Sequence, residues 1–270
     1  MRFVFVFCIA CFYVSLAGAQ GLIIDHTCVN LSAIPPLWIN AVQNTIQSHY
    51  AHTSHGGQLI HGLEFVEEDN GVFGFEVELS GLPEIPETYC IYDGQQQETY
   101  VSPELYWETE EGLNMTRAVL DNNPELDTSM WSWCTQCDWY GEEEVQAYLD
   151  AMTVLEQEYP EVVFVYFTGN AQATDYDGYN RFMRNNQIRE YCYENNKVLF
   201  DFGDIDSWWY NPGTSRWEQH TYNYEGTEVP LQHPSYQSDE FGHTSAENCL
   251  NKGVAWWWMM SIIAGRTVIN

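Results

Sequence analysis

The chain has 270 residues, of which 45% are hydrophobic and 18% are charged, so it carries enough apolar material for a folded core. Only nine Lys and Arg residues oppose 39 Asp and Glu residues, which gives a formal net charge of −30 at pH 7. This charge repels a phosphate backbone or an anionic bilayer, so we expect no nucleic-acid partner.

The first residues are typical of a secretory leader. Residues 1–19 place Arg2 before an apolar stretch and end in Ala17-Gly18-Ala19, whose small side chains suit a signal peptidase. We therefore expect cleavage near Gln20, a secreted or periplasmic protein and no membrane attachment afterwards. Residues 20–270 are predicted to form a single domain.

Eight cysteines in the full chain become six after the predicted cleavage. An even number in an oxidising compartment favours disulfide bonds, although the sequence does not determine the pairing. Cys134 and Cys137 also have the spacing of a redox pair or of half a zinc site. The six are Cys28, Cys90, Cys134, Cys137, Cys192 and Cys249.

Hydrophobic periodicity predicts alternating helices and strands. A polar turn occupies residues 52–58, and residues 65–112 lack a helical period and are interpreted as an insertion of loops and short β pieces. In chain order, the patterns predict a strand at 22–25, a helix at 33–48, a helix around 112–121, a strand around 126–133, a helix around 142–158, a strand at 162–167, a helix around 179–195, a strand at 197–202 and a last helix at about 246–264.

This alternation predicts an α/β fold with a doubly wound, mostly parallel sheet. Ligands of such sheets bind beyond the carboxyl ends of the strands, so reactive residues are sought just after predicted strands. Ser54 precedes two glycines that let backbone N–H groups face a bound oxygen. Gly169 and Asn170 follow the strand at 162–167, and Asn170 could donate to an oxyanion. His243, with Asp239 nearby, could act as a base.

The mature chain resembles the SGNH/GDSL hydrolases, and in particular a branch of secreted bacterial SGNH-like proteins. The segments that carry the resemblance cover most of residues 22–265: LIIDHTCVNLSAIPPLWI, YAHTSHGGQ, MWSWC, VYFTG, NNQIREYCYENNKVLFDFGDID and NCLNKGVAWWWMM. The resemblance implies a flavodoxin-like sheet, Ser54 as nucleophile, Gly169 and Asn170 as oxyanion residues, and His243 as base. Thr53 is an alternative nucleophile, because Ala-His-Thr-Ser stands where the family has Gly-Asp-Ser. Asp239 precedes His243 by four residues where the family expects three.

The expected function is a secreted serine esterase that forms an acyl-enzyme on Ser54 and deacylates a carbohydrate or another small ester. The residues predicted to bind substrate are His52, His55, Gln58, Trp208 and Trp209. This mechanism requires no cofactor.

Two metal sites are alternatives to a cofactor-free enzyme. Five histidines near the N-terminus, with Asp25, have the ligand chemistry of Zn²⁺. Asp201, Asp204 and Asp206 could bind Ca²⁺. The five histidines are His26, His49, His52, His55 and His61.

Two other functions remain open. Aromatic residues make up 16% of the chain and crowd residues 208–224, so the protein could bind carbohydrate without catalysis. The other is a polysaccharide lyase, with or without a metal at the N-terminal histidines, which would need arginines to hold a uronate. The candidates are Arg117, Arg181, Arg184 and Arg189.

Overall fold

The structure, a computed structural model, describes residues 21–267. Its central sheet has seven strands, and all of its strand pairs are parallel. In chain order they are β1 (Leu22–Ile24), β2 (Gln47–Ala51), β3 (Phe75–Leu79), β4 (Tyr89–Asp93), β5 (Thr128–Trp131), β6 (Val163–Phe167) and β7 (Val198–Phe200). The α-helices are α1 (Pro36–Thr45), α2 (Gly57–Asp69), α3 (Glu110–Asn122), α4 (Glu142–Glu158), α5 (Asp175–Glu194), α6 (Phe202–Ser207) and α7 (Ala246–Ile263).

The spatial order of the strands is β1-β7-β6-β5-β2-β4-β3. The five central strands, β4-β2-β5-β6-β7, follow the flavodoxin-like order 2-1-3-4-5, while β1 and β3 are added at the two edges. The order reverses between β2 and β5. Ligands of open α/β sheets bind at such a reversal, beyond the carboxyl ends of the strands.

Side chains of successive strand residues point to opposite faces of the sheet. Both faces therefore have side chains to bury, and helices cover both. On one face the Tyr50 ring of β2 packs edge-on against Trp256 of α7, with 5.0 Å between centroids. On the other, Trp131 of β5 packs against Tyr148 of α4, at 6.2 Å. The predicted α/β fold with a mostly parallel sheet is therefore confirmed.

The strongest sequence patterns give the best-defined elements. Helix α4 spans the predicted residues 142–158, and its first turn carries three glutamates. Their negative charges stabilise the helix because they lie at the positive end of its dipole. The Glu144 carboxylate also accepts the Gly141 N–H at 2.9 Å. Strand β6 lies within the predicted strand at 162–167, and four of its five residues are buried.

The stretch predicted as an insertion, residues 65–112, extends the sheet instead of standing apart from it. Two of its β pieces, β3 and β4, pair in parallel with each other, and β4 pairs with β2. Outside the sheet, the chain from Trp208 to Pro230 forms two antiparallel hairpins. Their strands are β8 (Trp208–Asn211), β9 (Arg216–Gln219), β10 (Thr221–Tyr224) and β11 (Thr227–Pro230).

Helices α2 and α7 touch through their backbones at two glycines. A Cβ placed on Gly253 would lie 2.2 Å from the backbone carbon and oxygen of Gly62. A Cβ on Gly62 would lie 2.1 Å from the Cys249 carbonyl oxygen. Neither helix can therefore carry a side chain at this crossing without moving.

We expect Gly253→Ala to lower the free energy of unfolding by about 1–3 kcal/mol, because overpacking forces the two helices apart. This is the net loss, after the gain of about 1 kcal/mol in helix propensity that alanine brings over glycine. Urea denaturation measures it. Gly71→Ala is the control, since no atom of the described residues, apart from the adjoining ones, lies within 4 Å of the added Cβ. Equal midpoints for the two variants would contradict the role of this crossing.

Candidate functional site

A thiol and an imidazole meet where the strand order reverses. The turn that follows β2 brings His55 to this edge of the sheet, and the segment that follows β5 brings Cys134. The His55 Nδ1 atom lies 3.0 Å from Cys134 Sγ. The other ring nitrogen, Nε2, lies 2.8 Å from the Oε1 atom of Gln172, on the loop after β6. His55 is thus held between a thiol and an amide oxygen.

The environment favours the charged form of both partners. Burial alone would raise the pKa of the Cys134 thiol, but the hydrogen bond and charge of His55, with the Ser54 and Thr53 hydroxyls, lower that pKa to about 6. Burial alone would lower the pKa of His55, but the hydrogen bond to Cys134 and its charge, together with Gln172, raise it. A thiolate next to an imidazolium is the reactive form of a cysteine nucleophile.

Cys134 differs in this respect from the other cysteines. All six described cysteines are free, so the structure gives no pairing for the predicted disulfides. Burial raises the pKa of each of the other five thiols: Cys28, Cys90, Cys137, Cys192 and Cys249. Cys134 is therefore the described thiol whose pKa is lowered instead of raised.

Asn170 and Gly169 lie beside this pair, but their amides are already engaged. The Asn170 side chain donates to the Cys134 carbonyl at 2.6 Å and accepts the Gln172 N–H at 3.0 Å. The Gly169 N–H donates to the Asn185 side chain at 2.8 Å. Asn170 therefore positions the segment that carries the thiol, and the oxyanion role of Gly169 and Asn170 stays a prediction.

The predicted nucleophile, Ser54, and the predicted base, His243, lie next to the pair formed by Cys134 and His55. Ser54 Oγ lies 3.6 Å from Cys134 Sγ, and the structure records no hydrogen bond from it to a histidine within residues 21–267. The His243 ring centroid is 5.0 Å from that of His55, and His243 Nδ1 is 3.0 Å from Asp239 Oδ1. Asp239 thus pairs with His243 despite its spacing of four residues. The exposed His243 has a φ of +72° and follows Gly242, which approaches the Ser54 carbonyl too closely for a side chain.

The side chains of two predicted substrate-binding residues, Gln58 and His52, already contact other groups of the protein. Gln58 is fully buried, donates to the Gly242 carbonyl and accepts from Lys252 Nζ at 2.7 Å. His52 directs Nδ1 at the Thr53 carbonyl, 2.6 Å away, and its Nε2 lies 3.1 Å from Asp93 Oδ1. His55 is the third of these residues, and its ring contacts Cys134 and Gln172 as described above.

The two predicted tryptophans lie at the hairpin of β8 and β9. Trp208 stacks on His26 with 4.2 Å between ring centroids. Trp209 lines a groove together with Trp217 of β9 and residues at the start of α7. Within residues 21–267, the lining of this groove includes neither His55 nor Cys134.

The N-terminal histidines do not form one metal site. His49 uses both ring nitrogens, for Ser129 and for the Gly94 carbonyl, while His61 pairs with Glu64. Among residues 21–267, one group brings three ligand atoms of the metal-binding residue types within 4.8 Å of one another, namely Asp25, His26 and Asp204. In that group His26 Nδ1 already lies 2.6 Å from an Asp204 carboxylate oxygen.

The three aspartates considered for Ca²⁺ point to different partners. Asp201 forms two hydrogen bonds with Arg189, at 2.6 and 2.7 Å, and Asp204 pairs with His26. Asp206 accepts from Lys252 Nζ at 2.6 Å. The DFGDID segment therefore anchors neighbouring elements and does not form a common oxygen cage.

Sequence reasoning noted Cys134 but did not connect it with His55, because its spacing to Cys137 was interpreted as a disulfide, redox or zinc signal. A usable signal was its position directly after the predicted strand at 126–133, at the same sheet edge as the Ser54 turn. Gln172 offered a weaker signal, two residues beyond Asn170.

The predicted leader, residues 1–19, lies outside the described residues. Within residues 21–267, no helix combines the length and apolar character that a membrane crossing requires.

Neither a protein-family model nor a curated protein matches this chain. Two solved structures of TubZ from Clostridium botulinum phage c-st are similar to part of it. The C-terminally truncated TubZ has a TM-score of 0.30 and 11% identity over 62% of this chain and 55% of its own. The second has a TM-score of 0.29 and 13% identity over 60% and 53%. The chain therefore spans about half the length of these structures.

Proposed function

We propose that this chain is a thiol-dependent acyl hydrolase, with Cys134 as nucleophile and His55 as its acid and base. The observation that carries the proposal is the 3.0 Å contact between Cys134 Sγ and His55 Nδ1, with Gln172 holding the opposite ring nitrogen at 2.8 Å. The same order of thiol, imidazole and side-chain amide recurs in cysteine hydrolases on unrelated folds.

The geometry supports a two-step acyl transfer. The Cys134 thiolate attacks the ester carbonyl, and the His55 imidazolium gives its Nδ1 proton to the departing alcohol, which leaves a thioester. His55, now neutral, then takes a proton from the water that hydrolyses this thioester. Gln172 keeps the imidazole ring directed at the sulfur throughout.

The turn between β2 and α2 supplies donors for the oxyanion. Within the described chain, the backbone N–H groups of Ser54, His55 and Gly56 donate to no protein acceptor. These three residues directly precede α2, and the helix dipole favours negative charge at this end of the helix. We assign to these N–H groups the oxyanion role predicted for Gly169 and Asn170.

Alkylation by iodoacetamide tests the state of the thiol. We expect Cys134 to be labelled preferentially, with a rate that rises with pH around a midpoint of about 6 instead of the ordinary 9. Below that midpoint the thiol is protonated and unreactive, and above it the thiolate dominates. Mass spectrometry of the peptides identifies the labelled residue.

The matched variant is His55→Gln, which keeps a polar side chain but removes the charge. The midpoint should move from about 6 toward 9, and labelling at pH 7 should slow because less of the thiol is then ionised. The slowdown should be only about three- to tenfold, because the less acidic thiolate is intrinsically more nucleophilic and offsets part of the loss. An unchanged midpoint in this variant, or preferential labelling of another cysteine, would overturn the proposed pair.

A second candidate is the SGNH-type serine esterase that the resemblance implies. The 3.0 Å contact between His243 and Asp239 favours it, because a carboxylate that orients an imidazole is part of a serine triad. In this case phenylmethylsulfonyl fluoride should modify Ser54 and abolish activity. A substrate shared by both candidates is a small ester, including the acyl esters of polysaccharides.

A further inference from the structure

A groove of about 800 Å³ lies between the β8–β9 hairpin, the start of α7 and the loop that follows β1. Three aromatic side chains line it: Trp209, Tyr210 and Trp217. Its volume is in the range of small-ligand sites, which are mostly apolar with a few polar groups.

The aromatic rings of the groove are held by the protein. The Trp209 indole N–H donates to the Glu247 carboxylate at 3.0 Å, and its ring stacks on His233 with 5.1 Å between centroids. Tyr210 and Trp217 meet edge to face at 5.5 Å, and Tyr210 is 45% exposed. Because the rings are already fixed, a ligand would not have to order them.

The polar side chains that line the groove offer hydrogen-bond acceptors and no positive charge within the described chain. Glu247 and Asn251 line it, and each keeps an oxygen that no described residue occupies: Glu247 uses Oε1 for Trp209, and Asn251 donates through Nδ2 to Tyr236. Within the described chain, no Lys or Arg lines the groove, and the net charge of the protein is −30. Anionic ligands are therefore disfavoured.

We propose that this groove binds a neutral oligosaccharide. The C–H faces of a pyranose ring suit the aromatic side chains, and its hydroxyl groups suit the free oxygens of Glu247 and Asn251. The site is separate from the proposed thiol chemistry, because within the described chain its lining includes neither Cys134 nor His55.

Isothermal titration calorimetry tests the groove with five neutral hexasaccharides: cellohexaose, xylohexaose, mannohexaose, laminarihexaose and chitohexaose. Hexagalacturonate is the anionic comparison. We expect at least one neutral hexasaccharide to bind and hexagalacturonate to bind more weakly. Trp217→Ala and Tyr210→Ala should each reduce the affinity of the bound sugar about tenfold or more.

The matched control is Trp139→Ala, since Trp139 is 63% exposed and lies outside the groove. Its affinity should equal that of the wild type, and circular dichroism checks the fold of every variant. Cys134→Ala should also bind normally, so failure of the thiol proposal and failure of this one are distinguishable. The inference is overturned if no neutral hexasaccharide binds, if both groove variants bind normally, or if hexagalacturonate binds most tightly.

Discussion

Cys134→Ala is expected to lower the rate of p-nitrophenyl acetate hydrolysis by about 10⁴-fold or more, the scale of loss seen when a catalytic nucleophile is removed. The thiolate forms the covalent intermediate, and no other described cysteine has a lowered pKa with which to replace it. Steady-state kinetics at pH 7 measure the loss. Mass spectrometry of the wild-type enzyme, quenched during turnover, should find the acetyl group on Cys134.

The matched control is Ser54→Ala, which removes a hydroxyl 3.6 Å from the same sulfur. It should retain most of the activity, with a higher thiol pKa, because the Ser54 hydroxyl helps to lower that pKa. The reverse pattern, with activity lost in Ser54→Ala and kept in Cys134→Ala, would identify Ser54 as the nucleophile. Full activity in both variants would contradict both candidates.

Lys252→Ala is expected to lower the free energy of unfolding by about 3–5 kcal/mol, the range for breaking one partner of a buried ion pair. The Lys252 ammonium is fully buried, and its Nζ lies 2.6 Å from Asp206 and 2.7 Å from Gln58. Without it, the Asp206 charge stays buried and keeps only its hydrogen bonds from Asn248 and the Ala171 N–H. Urea denaturation followed by tryptophan fluorescence measures the change.

Lys197→Ala is the control for this second variant. Lys197 also pairs with a carboxylate, Glu156, but both side chains are partly exposed, so the loss should be about 0–1 kcal/mol. A loss in Lys252→Ala as small as that of Lys197→Ala would show that the buried pair does not stabilise the fold.

The elements that the sequence predicts best are those whose patterns are local. The apolar period of α4 and the β-branched and aromatic run of β6 each appear within one segment. Strand β2 was missed because its sequence, QSHYA, is polar. Its buried Ser48 and His49 are tolerated because they form hydrogen bonds with neighbouring strands, including those to Tyr89 of β4 and Ser129 of β5 at 2.7 and 2.8 Å.

The candidate site follows from the sequence only in part. The rule that ligands bind beyond the carboxyl ends of strands directed attention to the loop after β6, whereas the Ser54 turn was singled out by its two glycines, because β2 was not predicted. The contact between His55 and Cys134 depends on β2 and β5 being neighbours, although two strands and two helices separate them in the chain. Local spacing contains no information about that pairing.

The strand order has a consequence for the newborn chain. Leu22 of β1 pairs with Val198 of β7, so the first of the described sheet strands to be synthesised has no partner until the last sheet strand is made. At synthesis rates of 5–20 residues per second, this delay is on the order of ten seconds or more. Throughout it, an unsatisfied strand edge is open to pairing with other chains, and assistance from a holding chaperone would be most valuable then.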